Sequence, residues 1–371
     1  MWLLLVPAIP AFLVLVLFVW ARSPAVRRSA PRCWERLKDS GALDPARGFS
    51  DGELDDQTSA RAEPTWQPTL AAGGAATETV TVLTYNVGFA SGMANNRPVT
   101  LGQEEGRKNL HAVMSVLAVQ QPDLAALQEV DGAARRSFFI DQARELARAA
   151  DLEHGCFTPN WNKRYVPFPP WPPSVHYGPI YSGLALLSRY PIIDHETIPL
   201  PPPAKNAVYR ALYLRRVIQR TRVELPGGRP VTLLNLHLEP FDQENRRRHA
   251  EIAATICESV ADPLIVMGDC NAPPEYATVR SDFASDAETA DFTTDETLRI
   301  LTEETGLSNV FDETRYLRNE AAALTFPSDT PVVTLDYILH NDSFEAEDAS
   351  VIRSTARGSD HLPIAARLRL G

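Results

Sequence analysis

The sequence is short of cysteine, of positive charge and of internal repeats, and these shortages exclude several classes of protein. Its 371 residues contain four cysteines, which are too few and too scattered for a disulfide scaffold and lack the paired spacing of a zinc site. Asp and Glu number 47 against 36 Lys and Arg, and the net charge of −11 argues against sequence-blind binding to a long polyanion. A composition of 44% apolar and 22% charged residues fits a globular protein, not a collagen-like, disordered or multi-span membrane protein.

Charge is also absent from Trp2 to Ala21, where most positions are apolar. About 20 apolar residues in a helix cross a hydrocarbon core of about 30 Å. Basic residues, beginning with Arg22, follow this run, and none precedes it. Because positive flanks tend to stay cytoplasmic, the pattern favours a single-pass anchor over residues 1–22, in the membrane through residues 2–21, with the domain that follows on the cytoplasmic side. An atypical export signal is the alternative.

Residues 23–76 are rich in Ala, Gly, Pro, Asp and Glu, a composition typical of a flexible linker. Within it, only Cys33 to Leu37 indicates a short helical turn. From residue 77 to residue 371, strand and helix signals alternate, which predicts one large α/β domain.

Strand signals alternate with amphipathic helix signals along this domain, and hairpins and helices both connect the strands, so we expect mixed sheets. One predicted helix carries Leu110 to Leu117 and ends before Pro122, and Asp242 is a candidate N-cap for a helix reaching Val260. A further helix is predicted over 135–150. The predicted strands cover 79–85, 124–127, 184–187, 209–217, 231–236, 264–267, 332–339 and 364–370, with Pro226-Gly227-Gly228 as a turn between two of them.

Polar residues capable of catalysis follow or interrupt these apolar strands. Taken alone, each has an ordinary structural explanation, such as a turn, a solvated strand end or a structural hydrogen bond. Carboxylates and imidazoles at the ends of buried strands are nevertheless costly unless paired or metal-bound. Their oxygen donors suit Mg²⁺, with Mn²⁺ as the alternative. The residues are Asn86, Glu129, His237, Asp269, Asn271, Asp336, Asp360 and His361.

The order of these motifs resembles the endonuclease/exonuclease/phosphatase superfamily, which includes DNase I-like nucleases and neutral sphingomyelinases. The motifs are Tyr85-Asn86, Gln128-Glu129, Asn235-Leu236-His237, Gly268-Asp269-Cys270-Asn271, Leu335-Asp336-Tyr337 and Ser359-Asp360-His361, between Glu78 and Leu370. The resemblance implies a four-layer α/β/β/α sandwich of two mixed sheets with a metal site at one edge, and it implies phosphoester hydrolysis.

The resemblance also implies a role for each residue. Glu129 is similar to the main metal ligand, with Asn86 beside it and Asp360 as a further acid on the metal side. The others correspond to the catalytic machinery: Asp269 and Asn271 to the pair that positions or deprotonates water, His361 to the catalytic histidine, Asp336 to the carboxylate that orients it, and His237 to the second histidine of DNase I-like members. Whether Asp269 or His361 removes the proton from water stays open.

Three departures make abasic-site repair an unlikely activity. Where AP endonucleases usually carry Tyr, Asn and Asp, this chain has His237, Pro240 and Gly88.

The segment from Phe157 to Tyr181 is rich in aromatic residues and proline. We predict that it forms a rigid aromatic rim, with Trp171 and Tyr181 as substrate-binding residues, that contacts lipid or an apolar part of the substrate. Simple packing over the sheet edge is the alternative. A second segment, Ser281 to Glu320, is acidic, whereas arginines at 210–222 and 246–248 form a local basic patch.

The sequence therefore predicts a membrane-anchored, Mg²⁺-dependent phosphodiesterase acting on a lipid head group or a small phosphodiester, with no obligate protein partner. Two other functions remain open: the same chemistry on DNA or RNA, and a non-catalytic membrane scaffold. Retention of the expected catalytic residues argues against the scaffold.

Overall fold

The strands of the protein form two mixed sheets, which confirms the predicted α/β class. The structure is a computed structural model that describes residues 16–26, 32–34, 79–281, 291–353 and 357–371. Strands are numbered here in chain order, as are the helices.

The first sheet has seven strands in the order β1-β4-β5-β3-β2-β13-β12. Only β2 and β3 are parallel neighbours, and the other pairs are antiparallel. The strands are β1 (Arg32–Trp34), β2 (Thr79–Asn86), β3 (Leu124–Ala134), β4 (His154–Val166), β5 (Gly178–Ser188), β12 (Phe344–Val351) and β13 (Ile364–Leu370).

The second sheet has six strands in the order β10-β11-β9-β8-β7-β6, and again one neighbouring pair, β8 and β9, is parallel. Its strands are β6 (Ile192–Pro199), β7 (Val217–Leu225), β8 (Arg229–His237), β9 (Leu264–Asp269), β10 (Ser308–Asn309) and β11 (Asp336–His340).

Helices cover the outer faces of the sheets. The helix predicted before Pro122 is α1, and the one predicted after Asp242 is α4, whose first turn is capped where the Asp242 carboxylate accepts a hydrogen bond from the Asn245 N–H at 3.0 Å. The helices are α1 (Gln103–Gln120), α2 (Gln142–Ala149), α3 (Ala207–Leu212), α4 (Gln243–Glu258), α5 (Thr297–Thr302), α6 (Glu313–Arg318) and α7 (Glu320–Ala323).

Three apolar clusters define the layers. The central cluster joins the two sheets face to face, with Val82 and Leu124 of the first sheet beside Leu233 and Ile265 of the second. A second cluster packs α1 and α2 on the outer face of the first sheet, and a third packs α4 on the outer face of the second. This is the predicted helix–sheet–sheet–helix sandwich.

Two predictions of secondary structure within residues 77–371 are wrong. The strand predicted over 209–217 is the helix α3, because the Asn206 side chain caps it by accepting from the Tyr209 N–H at 2.9 Å, and the strand begins only at Val217. The helix predicted from Arg135 begins at Gln142, after a 3₁₀ turn over 135–137 and an N-cap at Asp141. The strands β1, β4, β6, β10 and β12 are not among the predicted ones.

The predicted membrane anchor lies mostly outside the described residues, since these begin at residue 16. Residues 16–22 are helical, and in the described part of the chain no helix is both long and apolar enough to cross a bilayer. The chain leaving this helix contacts β4, where the Arg164 N–H donates to the Ser23 carbonyl at 2.8 Å. The Trp20 ring lies 6.4 Å from that of Tyr165, so the N-terminal segment reaches the region of the aromatic loop.

Most of the predicted linker also lies outside the described residues, but β1 does not. It pairs with β4 as an edge strand, with Cys33 opposite Cys156, and the two sulfurs form a disulfide. The helical turn expected at Cys33 is therefore a strand, and one disulfide exists although the number and spacing of the cysteines predict no disulfide scaffold. Gly155 leaves room for Trp34, because a Cβ at Gly155 would lie 2.4 Å from the Trp34 ring.

We predict that this disulfide stabilises the domain, because it closes a loop of 123 residues in the unfolded chain. Dithiothreitol should lower the melting temperature of the parent protein by roughly 5–10 °C. Cys33→Ser should melt at the reduced value whether or not dithiothreitol is present. Thiol titration in denaturant should count the two thiols of Cys257 and Cys270. A count of four, or an identical melting temperature after reduction, would contradict the cross-link.

Candidate active site

The polar residues converge because the sheets bring their strand ends to one edge. In the first sheet, Asn86 at the carboxyl end of β2 is the last parallel partner of Gln128, and Glu129 lies next to it at a bulge inside β3. In the second, Asp269 of β9 lies opposite both His237 of β8 and Asp336 of β11. Carboxyl ends of parallel strands are a usual position for binding sites in α/β proteins.

An amide links the two sheets at the centre of the site. Asn86 Nδ2 donates to Asp269 Oδ2 at 3.0 Å and approaches Glu129 Oε1 at 3.5 Å, while Asn86 Oδ1 accepts from the Gly88 N–H at 3.1 Å. Asn86 is buried, so these contacts fix the two carboxylates relative to each other.

A second asparagine, Asn95, was missed in the sequence. Its Nδ2 donates to Glu129 Oε2 at 3.0 Å and to Asp360 Oδ2 at 3.2 Å, so it joins the two carboxylates predicted on the metal side. Its Oδ1 is buried without a hydrogen-bond partner. No sequence signal marks Asn95, because it lies inside the loop that follows β2 and not directly at the end of the strand.

His361 and Asp336 form a buried dyad. His361 Nδ1 lies 2.9 Å from Asp336 Oδ2, and His361 Nε2 lies 3.8 Å from Asp269 Oδ2. Burial lowers the pKa of His361, but the charges of Asp336 and Asp269 outweigh it and raise this pKa well above its usual value. The imidazole is therefore held as a cation with Nε2 directed to the side of Asp269.

His237, unlike His361, is held as a neutral imidazole. Its Nε2 lies 3.5 Å from Asp269 Oδ2 and 3.7 Å from Glu129 Oε1. Burial, together with the positive charges of Arg216 and His361, lowers the pKa of His237 well below its usual value. One neutral and one cationic imidazole thus face the same carboxylates.

The two central carboxylates resist ionisation. Burial raises the pKa of Asp269 to about 6, against the opposing charge of His361. Burial likewise raises the pKa of Glu129 above its usual value.

Asn271 holds Asp269 in place, because its backbone N–H donates to Asp269 Oδ1 at 2.8 Å while its side chain donates to the Leu238 carbonyl at 3.0 Å.

Gly88 is required where AP endonucleases carry Asp. It has a φ of +51°, and a Cβ there would lie 2.7 Å from Asp360 Oδ1 and 3.0 Å from Ser359 Oγ. Ser359 in turn donates to the Asn86 carbonyl at 2.7 Å, so the Ser359-Asp360-His361 turn packs directly against the end of β2.

The donor set fits a hard divalent cation beside Glu129. Several carboxylates are buried together, two of them with raised pKa values, and the Asn95 Oδ1 acceptor is unpaired. Asp269, Asp336 and His361 also have ligand atoms within 4.8 Å of one another. His361 Nδ1 and Asp336 Oδ2 already bond each other, however, so Glu129, Asn86 and Asp360 remain the residues assigned to a metal.

A cleft of about 490 Å³ opens from this cluster and is mostly apolar. Its polar end contains Glu129, His237, Asp269, Asn271, Asp360 and His361, so the structure brings these predicted residues to one surface. Its apolar walls come from the loop after β4, from α3 and the residues that follow it, and from single aromatic residues: Phe89, Trp161, Val166, Phe168, Tyr177, Tyr209, Leu212, Tyr213, Leu214, Phe241, Phe292 and Phe326.

The two predicted substrate-binding residues are not part of this lining. Tyr181 is 1% exposed and packs its ring 5.3 Å from that of Phe157 in the core, because its side of β5 faces the helices α1 and α2. Trp171 is 75% exposed and lies outside the cleft. The neighbouring residues of the same segment, Phe168 and Tyr177, are the ones that line it.

Comparisons with known proteins agree with this fold and with this arrangement of polar residues. Residues 83–361 match the model of the Endonuclease/Exonuclease/phosphatase family, so the chain belongs to this family, whose members hydrolyse phosphoesters and generally depend on a divalent metal. The search of curated protein sequences found no match.

Solved structures share the fold at low identity. An endonuclease/exonuclease/phosphatase from Beutenbergia cavernae has 20% identity and a TM-score of 0.53, with 79% of this chain and 72% of that chain covered. A mannosyl-6-phosphatase from Bacteroides thetaiotaomicron has 16% identity and a TM-score of 0.52 over 78% and 99%. TDP2 of D. rerio, complexed with a single-strand DNA product, has 16% identity and a TM-score of 0.51 over 78% and 98%. At these identities the comparison supports the fold alone.

We predict that Asp336→Asn reduces catalysis without loss of the fold. The amide keeps the shape of the carboxylate but removes the charge that holds His361 cationic, so kcat on bis-p-nitrophenyl phosphate should fall by roughly 10²–10⁴. The exposed Asp329→Asn is the matched control and should keep the parental kcat. Parental activity in folded Asp336→Asn would contradict the role of the dyad.

Proposed function

We propose that the protein is a Mg²⁺-dependent phosphodiesterase that hydrolyses the head group of a membrane lipid. The observation that carries this proposal is the single cleft in which the carboxylate and imidazole cluster continues into an aromatic and aliphatic wall. A phosphate at the polar end would place an apolar substituent against that wall. A long nucleic acid would instead require a broad cationic surface, and Arg216 is the single Lys or Arg among the residues lining the cleft.

The residues of the site divide the chemistry among them. Asp269, held by Asn86 and Asn271, orients a water molecule for attack on phosphorus. The His361 cation, oriented by Asp336, donates a hydrogen bond from Nε2 to a phosphate oxygen and stabilises the charge that develops there. The neutral His237 supplies a second imidazole for proton movement near Glu129.

Glu129 and Asp360 would hold the metal through their carboxylates, and Asn86 would do so through Oδ1, the oxygen that also accepts from the Gly88 N–H. When bound, Mg²⁺ supplies charge stabilisation at the phosphoryl oxygens. Mn²⁺ is the alternative, because both ions prefer oxygen ligands.

The position of the N-terminal segment supports a substrate in the membrane. The helical residues 16–22 end beside Tyr165, and the next residues of the chain after Tyr165 turn into the loop that lines the cleft. If residues 2–21 are an anchor, the cleft lies close to the bilayer surface. The exposed Trp171 in the same loop is a residue type enriched at membrane interfaces.

We further propose that the catalytic domain lies in an oxidising compartment, on the side of the membrane away from the cytoplasm. The disulfide between Cys33 and Cys156 supports this, because cytosolic thiols are kept reduced. It reverses the orientation that the positive flank predicts. The two locations are distinguished by blocking free thiols in intact cells before lysis and counting how many of the four cysteines were free. Two free thiols support export, and four support the cytoplasm.

Metal dependence is tested with Glu129→Gln, which keeps the side-chain volume and removes one negative charge. Hydrolysis of bis-p-nitrophenyl phosphate by the parent should require Mg²⁺ and stop with EDTA, and Glu129→Gln should lose at least about tenfold in Mg²⁺ affinity by calorimetry. The exposed Glu153→Gln is the control for loss of an acidic charge. EDTA-resistant hydrolysis, or parental Mg²⁺ binding by Glu129→Gln, would refute the assignment.

The lipid assignment is tested by comparing vesicles with a soluble substrate. The double variant Phe168→Ser/Trp171→Ser should lose about tenfold in the rate on sphingomyelin or phosphoinositide vesicles and less than about twofold on bis-p-nitrophenyl phosphate. Val119→Ser removes an equally exposed apolar side chain on α1, away from the cleft lining, and should affect neither rate.

Equal losses on the two substrates would assign the loop to packing. Faster turnover of single-stranded DNA or RNA than of any lipid would favour the nuclease alternative.

A further inference from the structure

Arg216 lies at the wall of the cleft, directly before β7. The antiparallel register of β7 and β8, with Gln219 opposite Asn235, brings Arg216 to the end of β8 that carries His237. The side chain is 5% exposed and lines the cleft together with Glu129. Its charge acts on the catalytic centre, because it is among the groups that lower the pKa of His237.

Two other buried arginines beside the cleft differ from Arg216 because each has a carboxylate partner. Arg136 pairs with Asp131 at 2.9 Å, and Arg246 pairs with Asp295 at 2.5 Å, so both are structural cations with carboxylate partners. In the described part of the chain Arg216 has no ion pair within 4.0 Å, and its Nε and Nη1 are buried without a hydrogen-bond partner.

The neighbours of Arg216 keep it charged but leave these two nitrogens unpaired. Burial lowers the pKa of the guanidinium, whereas Tyr213 and Glu239 outweigh this and raise it. The Tyr213 hydroxyl, whose contact with the guanidinium contributes to the raised pKa of Arg216, lies beyond normal hydrogen-bond distance of it, and Glu239 Oε2 is likewise buried without a hydrogen-bond partner. A buried cation with unpaired donors is costly unless a ligand supplies the acceptors.

We propose that Arg216 binds non-bridging oxygens of the substrate phosphate through its guanidinium group. Nε and a terminal nitrogen of a guanidinium form a planar fork that matches two oxygens of one phosphate. This residue would supply fixed positive charge from the β7 side of the cleft, whereas His361 and Asp360 lie before β13 and Glu129 lies on β3. The inference rests on the proposed phosphoester hydrolysis and adds the residue that recognises the phosphate itself.

The experiment uses inorganic phosphate as the probe on the Mg²⁺-loaded full chain. Phosphate should raise the melting temperature of the parent and inhibit hydrolysis of bis-p-nitrophenyl phosphate competitively. Arg216→Gln should weaken the inhibition constant for phosphate by about tenfold or more and abolish the thermal shift. Arg215→Gln is the matched control, because Arg215 is the adjacent residue and exposed, and it should respond as the parent does.

Parental phosphate affinity in folded Arg216→Gln would overturn the proposal, and so would an equal loss in Arg215→Gln, which would indicate a general charge effect. If Arg216→Gln does not fold, Arg216→Lys keeps the charge without the planar fork and should bind phosphate several-fold more weakly. Parental affinity in that variant would then overturn the inference. Because phosphate binding needs no lipid, failure of the lipid assignment would leave this result unchanged.

Discussion

The structure of the site depends on burying several carboxylates together at the edge where two sheets meet. Glu129 and Asp269 come from different sheets, and the single amide of Asn86 contacts both. Such a cluster is electrostatically unfavourable without compensating positive charge. His361 supplies part of this charge as a cation, Asn95 and Asn86 supply N–H donors, and the remaining deficit makes a divalent cation the natural partner of the site.

The same edge of the sandwich explains how one catalytic cluster can serve many substrates in this family. The charged residues lie on strands or next to them, at positions set by sheet register, while much of the cleft wall comes from loops and from the short helix α3. In this chain those walls are rich in aromatic side chains, and Arg216 introduces one buried cation among them. Substrate choice therefore depends on elements that can vary without disturbing the metal side of the site.

The N-terminal segment is joined to this architecture more closely than its composition indicates. The β1 strand adds an edge to the first sheet, the disulfide makes that attachment covalent, and the residues before it contact β4 beside the loop that lines the cleft. Any membrane attachment through residues 2–21 would consequently act on the orientation of the cleft, since the intervening contacts are made to the catalytic domain itself.

The sequence by itself determined the fold class, most of the strands and the residues of the catalytic cluster, because short polar motifs at the ends of apolar strands depend on local pattern and order. It predicted Glu129, Asp269, Asp336 and His361 correctly as residues of one cluster. Only the tertiary structure decided the rest. Asn95 follows no local pattern, nothing local separates Arg216 from the other arginines at 210–222, Tyr181 packs in the core although it was predicted to bind substrate, and the partner of Cys33 is 123 residues away. Each of these depends on which distant strands become neighbours, and the free energy that selects those neighbours comes from packing across the whole sandwich.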